Sequence, residues 1–217
     1  MASKTRFGNL GRVFQEGESE LLVGVARLAV LFEDLCLELD ALRAVQKKPE
    51  EERTSEDQYR VMYFLRRSLS TLIEFRGGLT TVRLTPDYKH ASLSAMDEGY
   101  ITRAEQFLQD HWDRLKALRN EFGGHVQLPG VRFATQHFSN VVGTVTWQRP
   151  TDDDAGGLRC GFAGHVVAGA ISSKLTAGTD VRQELHEALT VIGACFQHAQ
   201  AAMTALVHAF LWDRFGH

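Results

Sequence analysis

Cysteine is scarce in this chain: Cys36, Cys160 and Cys195 are the three among 217 residues. The odd number and the wide spacing argue against a disulfide framework or a metal knuckle. Cys36 and Cys195 fall inside apolar helical patterns, where a reduced thiol behaves as a small hydrophobe. Excess charge of one sign is lacking too. A formal net charge of -3 exerts no global pull on nucleic acid or on an anionic membrane, so any nucleic-acid contact has to come from a local basic patch. No apolar run reaches bilayer-spanning length, and the Met1-Ala2-Ser3-Lys4 start carries no signal core, so a cytoplasmic location without membrane contact is expected. Also missing are a Gly-rich phosphate loop, a nucleophile elbow and a zinc-binding helix motif. The nine histidines form no ligand cluster in sequence. His186 and His198 are at spacings that make no evident metal geometry, and no metal or other cofactor is expected.

What the chain does have is an ordinary globular composition, 44% hydrophobic and 24% charged, arranged with helical periodicity. From about Glu18 to Gln46, Leu21, Val25, Leu28, Leu35, Leu39, Leu42 and Val45 recur at helical spacing. Lys47-Lys48-Pro49 and the run Glu50-Glu51-Glu52 end that helix as a solvated connector. Thr54-Ser55-Glu56-Asp57 is a helix-start signature, and the second helix is predicted to reach about Phe75, where Gly77-Gly78 closes or kinks it. Residues 79–92 stay ambiguous, because Pro86 forbids one continuous helix through them. A third helix is predicted from Ser94, with Asp97 placed for a relaxed capping box, along Ile101, Ala104, Leu108, Trp112, Leu115, Leu118 and Phe122 to Gly123-Gly124.

Beyond Pro129-Gly130 the texture changes. Val141 to Trp147 is rich in β-branched and aromatic residues, residues 152–157 are turn-rich, and Leu158 to Phe162 returns as a second strand. Residues 163–174 read as a short helix. Thr179-Asp180 then caps a long last helix, which is expected to end near Phe215-Gly216. The predicted fold class is mainly α: a helical bundle of four or five helices in a single domain, 1–217, with a short β-hairpin insertion near 131–162.

The chemically suggestive stretch is Arg119-Asn120-Glu121-Phe122-Gly123-Gly124-His125. On an unbroken helix, six steps amount to roughly 600° of rotation and about 9 Å of rise, and the Arg119 and His125 side chains would diverge. Glycine takes left-handed backbone angles readily, so the diglycine can curl the chain and bring His125 back toward Arg119. A guanidinium holds phosphate oxygens bidentately, and an imidazole moves a proton near neutral pH. Asn120 can tie the last turn or orient His125. The plainer reading stands beside this one: Arg and His near a helix end also serve its last carbonyls and its dipole, and diglycine is an ordinary stop signal. Loose Arg-to-His spacings recur at Arg83/His90, Arg132/His137 and Arg159/His165, but only Arg119 is followed directly by asparagine at the end of a strong amphipathic helix.

These residues resemble the Arg-Asn-x4-His signature of HEPN domains, and the diglycine before His125 looks like an uncharacterised bacterial subgroup of that superfamily. The signature covers a handful of residues; the helical organisation agrees over most of the chain, and the β-like segment departs from a minimal bundle. The resemblance implies a metal-independent endoribonuclease of the toxin–antitoxin or phage-defence kind. It further implies a homodimer that brings two copies of Arg119 and His125 to one cleft, RNA as substrate, and an antitoxin or other defence-system partner.

Further basic candidates for an RNA backbone are Lys116, three residues before Arg119, and the pair Arg66-Arg67 on the second helix, for which a salt-bridged helix face is the plainer account. Trp112 can stack a base or fill a core. The rival function classes are a non-catalytic scaffold or interaction module, and a sensor in which Arg119 reads a nucleotide phosphate without breaking a bond.

Overall fold

The computed structural model describes residues 19–120, 136, 145–148, 157–160 and 181–215. Among these the chain is mainly helical. We number the helices α1 (Glu20–Gln46), α2 (Ser55–Leu84), α3 (Pro86–His90), α4 (Ala95–Asp110), α5 (Trp112–Leu118) and α6 (Val181–Leu206), the last running on into a π-helical turn, Val207–Leu211. Two short strands, β1 (Val145–Gln148) and β2 (Gly157–Cys160), pair antiparallel with Val145 opposite Cys160 and Gln148 opposite Gly157. The rest of the stretch expected as an insertion, and the short helix expected over 163–174, lie outside the described residues.

The chain divides into two compact units: residues 1–36, 71–114 and 191–217, and residues 37–70 with 115–190. In the first, four helix segments form a closed ring. The first half of α1 meets the last part of α2 through Gly24 and Val82, and through Leu28 and Gly78. α2 meets α4 where Arg76 bonds Gln109 and where Thr80 and Arg83 bond Glu105. α4 meets α6 and its π turn through Phe107 and His198 and through Asp97 and His208. Phe32 stacks on Phe196 at 5.6 Å to close α1 against α6. Residue numbers rise on one side of each contact and fall on the other, so the segments run up, down, up, down. Leu28, Phe75, Leu79, Ile101, Leu108 and Ile192 fill the interior, each fully buried.

Two expectations about helix ends need correction. Gly77-Gly78 neither ends nor closes the second helix, which continues to Leu84. A Cβ on Gly78 would come within 2.9 Å of Leu28 Cδ2, and one on Gly24 within 2.7 Å of Val82 Cγ2, whereas one on Gly77 would meet nothing within 4 Å. Gly24 and Gly78 therefore set the distance between α1 and α2; the contact repays what glycine costs a helix interior. Pro86, expected only as a breaker, opens α3 at its first turn, where a missing N–H costs nothing, and the Thr85 hydroxyl accepts from the Tyr88 N–H.

The helix expected to run from Ser94 to the diglycine is broken at His111. No Gly or Pro stands there. His111 instead donates to the Phe107 carbonyl from its backbone N–H at 3.1 Å and from its ring Nδ1 at 2.9 Å, so the side chain competes for a carbonyl that the helix ladder uses. Its start is as expected: the Ser94 hydroxyl accepts from the Asp97 N–H at 3.0 Å and donates to the Asp97 carboxylate at 2.7 Å.

In the second unit, the last part of α1 and the first part of α2 run antiparallel, with Arg67 Nε 3.6 Å from Glu38. Arg53 donates to the carbonyls of Gln46 and Lys48 across the connector, in which Glu50–Glu52 makes a 3-10 turn. Thr54 and Asp57 form a reciprocal cap, and Lys48 reaches the Asp57 carboxylate at 2.8 Å. The hydrogen bond from Lys48 and the one from the Thr54 backbone hold the Asp57 carboxyl down to about 2.

Candidate functional site

α5 delivers Arg119 to its position. Leu115 and Leu118 are fully buried while Lys116 and Arg119 are exposed, so the helix pins its apolar side and turns the two cations outward. They stand three residues apart, on neighbouring positions of one helix face. Immediately after Leu118 the backbone passes into a π turn at Arg119 and Asn120. The chain thus leaves α geometry before it reaches the diglycine, in a kind of turn that recurs at functional sites. Asn120 is exposed. Among the described residues Arg119 has neither a hydrogen-bond nor an ion-pair partner. His125, and the glycines expected to fold it back, lie outside the described residues.

The other candidates divide. Arg67 is exposed and pairs with Glu38, as a salt-bridged face requires, and Arg66, one residue earlier, is half-buried. Trp112 is half-buried beneath the Arg76 guanidinium, which sits 4.2 Å from its ring centroid. A ring face engaged in that way is occupied by a cation–π contact. The structure thus places Lys116, Arg119 and Asn120 within about one turn of each other at one helix end, with Arg66 and Arg67 on α2.

Sequence reasoning passed over a second polar site, in the first unit. A cavity of about 620 Å³ is lined by Thr80, Arg83, Tyr88, Lys89, Glu98 and Glu105, among others. Arg83 bonds Glu105 and, at 3.2 Å, Glu98. The Tyr88 hydroxyl donates to Glu98 at 2.7 Å, and the Thr80 hydroxyl to Glu105 at 3.2 Å. Burial and the Glu98 carboxylate push the Tyr88 phenol well above its ordinary range, so it stays protonated. Burial works against the Arg83 charge, but Glu105, Tyr88 and Glu98 outweigh it and its pKa rises. The two carboxylates and the cation answer one another, and none of these shifts brings a proton into play near neutral pH. The network ties α2 to α3 and α4. Its only signal in sequence was the seven-residue spacing of Glu98 and Glu105, which looks like any exposed helix face.

Close by, the Phe107 ring centroid lies 4.1 Å from both His111 and His198. Burial, with Arg103 and His111 nearby, lowers the His198 pKa, so the imidazole in the stack is neutral at pH 7. Cys195 is buried and its thiol is pushed up to about 12 by that burial, as expected of a core filler. Among the described residues no group of three His, Cys, Asp or Glu is placed to hold a metal ion, and no helix is long and apolar enough to cross a membrane. No family model, curated protein or solved structure matches the chain.

Proposed function

We propose that the end of α5 is a phosphate-binding site of a HEPN-like endoribonuclease, in which Arg119 holds the scissile phosphate and His125 transfers a proton. The observation that carries this reading is the exposed Arg119, which has no partner among the described residues, beside an exposed Lys116 at a π turn. A guanidinium with no partner among the described residues and a second cation one turn away suits a phosphodiester, because the fork grips two oxygens and the lysine adds charge. The Arg119-Asn120 and His125 signature supplies the remainder of the case.

The chemistry needs a base, an acid and stabilisation of the phosphorane. His125 takes the proton from the RNA 2′-hydroxyl as that oxygen bonds to phosphorus. The P–O5′ bond breaks as the 5′ oxygen receives a proton, leaving a 2′,3′-cyclic phosphate and a 5′-hydroxyl. One imidazole cannot fill both positions at once, so the acid is His125 of the partner subunit in a homodimer that faces the two clefts. Asn120 orients the turn, and Lys116, Arg66 and Arg67 track the RNA backbone. No metal enters these steps. A toxin or phage-defence setting, with an antitoxin or other partner protein, fits such an activity.

Purified chain incubated with RNA in EDTA is expected to cleave it, and Arg119→Ala or His125→Ala to abolish cleavage. No cleavage by the unaltered chain, or equal cleavage by His125→Ala, overturns the catalytic reading. A nucleotide or phosphate bound without turnover, and released by Arg119→Ala, would make the site a sensor instead.

A further inference from the structure

The outer face of α1 carries a feature that neither the core nor the Arg119 site uses. Val23, Val30 and Leu37 are 62%, 63% and 69% exposed. Single exposed apolar residues need no explanation, but these three stand at seven-residue intervals along one continuous helix. Seven steps fall about 20° short of two full turns, so they form one narrow stripe. The stripe lies apart from the buried one of Leu21, Val25, Leu28 and Leu35 on the same helix. Valine is also a mediocre helix former at an exposed site, where its stiff side chain gains no packing in return.

The charges beside the stripe specify what can cover it. Taking Val30 as the centre, Arg27 and Asp34 lie about 60° and 40° to one side, while Ala26 and Glu33 lie about 40° and 60° to the other. Arg27 and Glu33 are exposed and Asp34 half-buried, and among the described residues none of them enters an ion pair. Let a second copy of α1 pack on the stripe antiparallel, about a twofold axis at Val30. Like flanks then meet. Arg27 falls opposite the partner's Asp34 with an axial offset of about 1.5 Å, Asp34 opposite the partner's Arg27, and Glu33 opposite the partner's Ala26. Val23 packs on the partner's Leu37, and Val30 on the partner's Val30. Parallel packing brings unlike flanks together and sets Asp34 against the partner's Glu33, twice. Acid then faces acid, and no arginine falls between them.

We infer that the Val23/Val30/Leu37 stripe of α1 is a self-association surface, and that its occupant is an antiparallel second copy of this chain held in register by two reciprocal Arg27–Asp34 pairs. From Val23 to Leu37 the stripe is about 21 Å long. One helix seam of that length covers less than the roughly 800 Å² per partner typical of stable complexes, so the dimer is concentration-dependent. The inference does not rest on the Arg119 reading: a dimer formed through the Arg119 clefts alone would be indifferent to Val30→Glu, so the response to that substitution tells the two surfaces apart.

Sedimentation equilibrium of the full chain over the micromolar range tests it. Association to a dimer is expected, with the dissociation constant raised about tenfold or more by Val30→Glu. Reversing one charge, by Arg27→Asp or Asp34→Arg, is expected to weaken the dimer about 3- to 10-fold, and combining the two reversals to restore it. Val30 and Arg27 are exposed and Asp34 is half-buried, and the circular-dichroism melt checks that each variant is folded. A chain that stays monomeric throughout, or a folded Val30→Glu that associates as well as the unaltered chain, overturns the surface. Failure of the double reversal to rescue overturns the antiparallel register.

Discussion

Arg83 and Arg119 are the same side chain in two different situations. Arg83 sits in the cavity between α2, α3 and α4, bonded to Glu98 and Glu105, with Tyr88 below it and Thr80 steadying Glu105. Arg119 stands exposed at a π turn with no partner among the described residues. A cation answered by two carboxylates has little left to offer a ligand and instead joins three helices. An exposed cation with no partner among the described residues adds almost nothing to stability, and the function proposed above gives it a phosphate to hold.

Five substitutions test that contrast and the packing around it, in order of falling effect. Arg83→Met leaves Glu98 and Glu105 without their cation in a partly desolvated cavity, and is expected to cost about 2–3 kcal/mol in urea unfolding. A loss near zero would mean that the network is idle. The neighbouring α1–α2 contact comes next. Gly24→Ala drives a methyl against Val82 and is expected to lose about 1–2 kcal/mol net of alanine's better helix propensity. Gly77→Ala, which meets nothing, is expected to gain about 0.5–1 kcal/mol.

The acid limb of stability reports on the Lys48–Asp57 pair. The Asp57 carboxyl is held at about 2 against an ordinary 3.8, so the unfolded chain binds that proton first. The stabilisation it brings is complete above about pH 4 and fades as pH falls toward 2. Lys48→Met is expected to lower the melting temperature at neutral pH, with the gap from the unaltered chain narrowing between pH 4 and pH 2. The smallest stability effect belongs to Arg119→Met, which is expected to stay within about 0.5 kcal/mol of the unaltered chain while abolishing RNA cleavage. A marked loss of stability would place Arg119 in the same class as Arg83 and sink the phosphate-site reading.

Most of the helical framework could be read from apolar spacing, because a stripe at 3.6-residue period can be buried in only one way. The two cap signatures were legible for a related reason: Thr54 with Asp57, and Ser94 with Asp97, satisfy backbone groups only a few residues away. The diglycine at 77–78 misled, since glycine as a helix stop and glycine as a close-contact residue look the same until the opposite helix is known. The break at His111 was invisible, for an imidazole turning back onto the Phe107 carbonyl is one rotamer among several. Of the candidate site, the cations and their helix were legible, and the π turn at Arg119 was not.

The sequence alone thus determined where the chain becomes helical, which side of each helix is apolar, and where α2 and α4 begin. These are local matters, set by periodicity and by hydrogen bonds that span three or four residues. Tertiary structure decided which glycines serve as contacts and which arginine is spent on carboxylates. It also decided which apolar stripe of α1 goes inward and which one is left facing solvent. Each of those outcomes depends on what the opposing helix presents, and a residue's own neighbours in the chain carry no record of it.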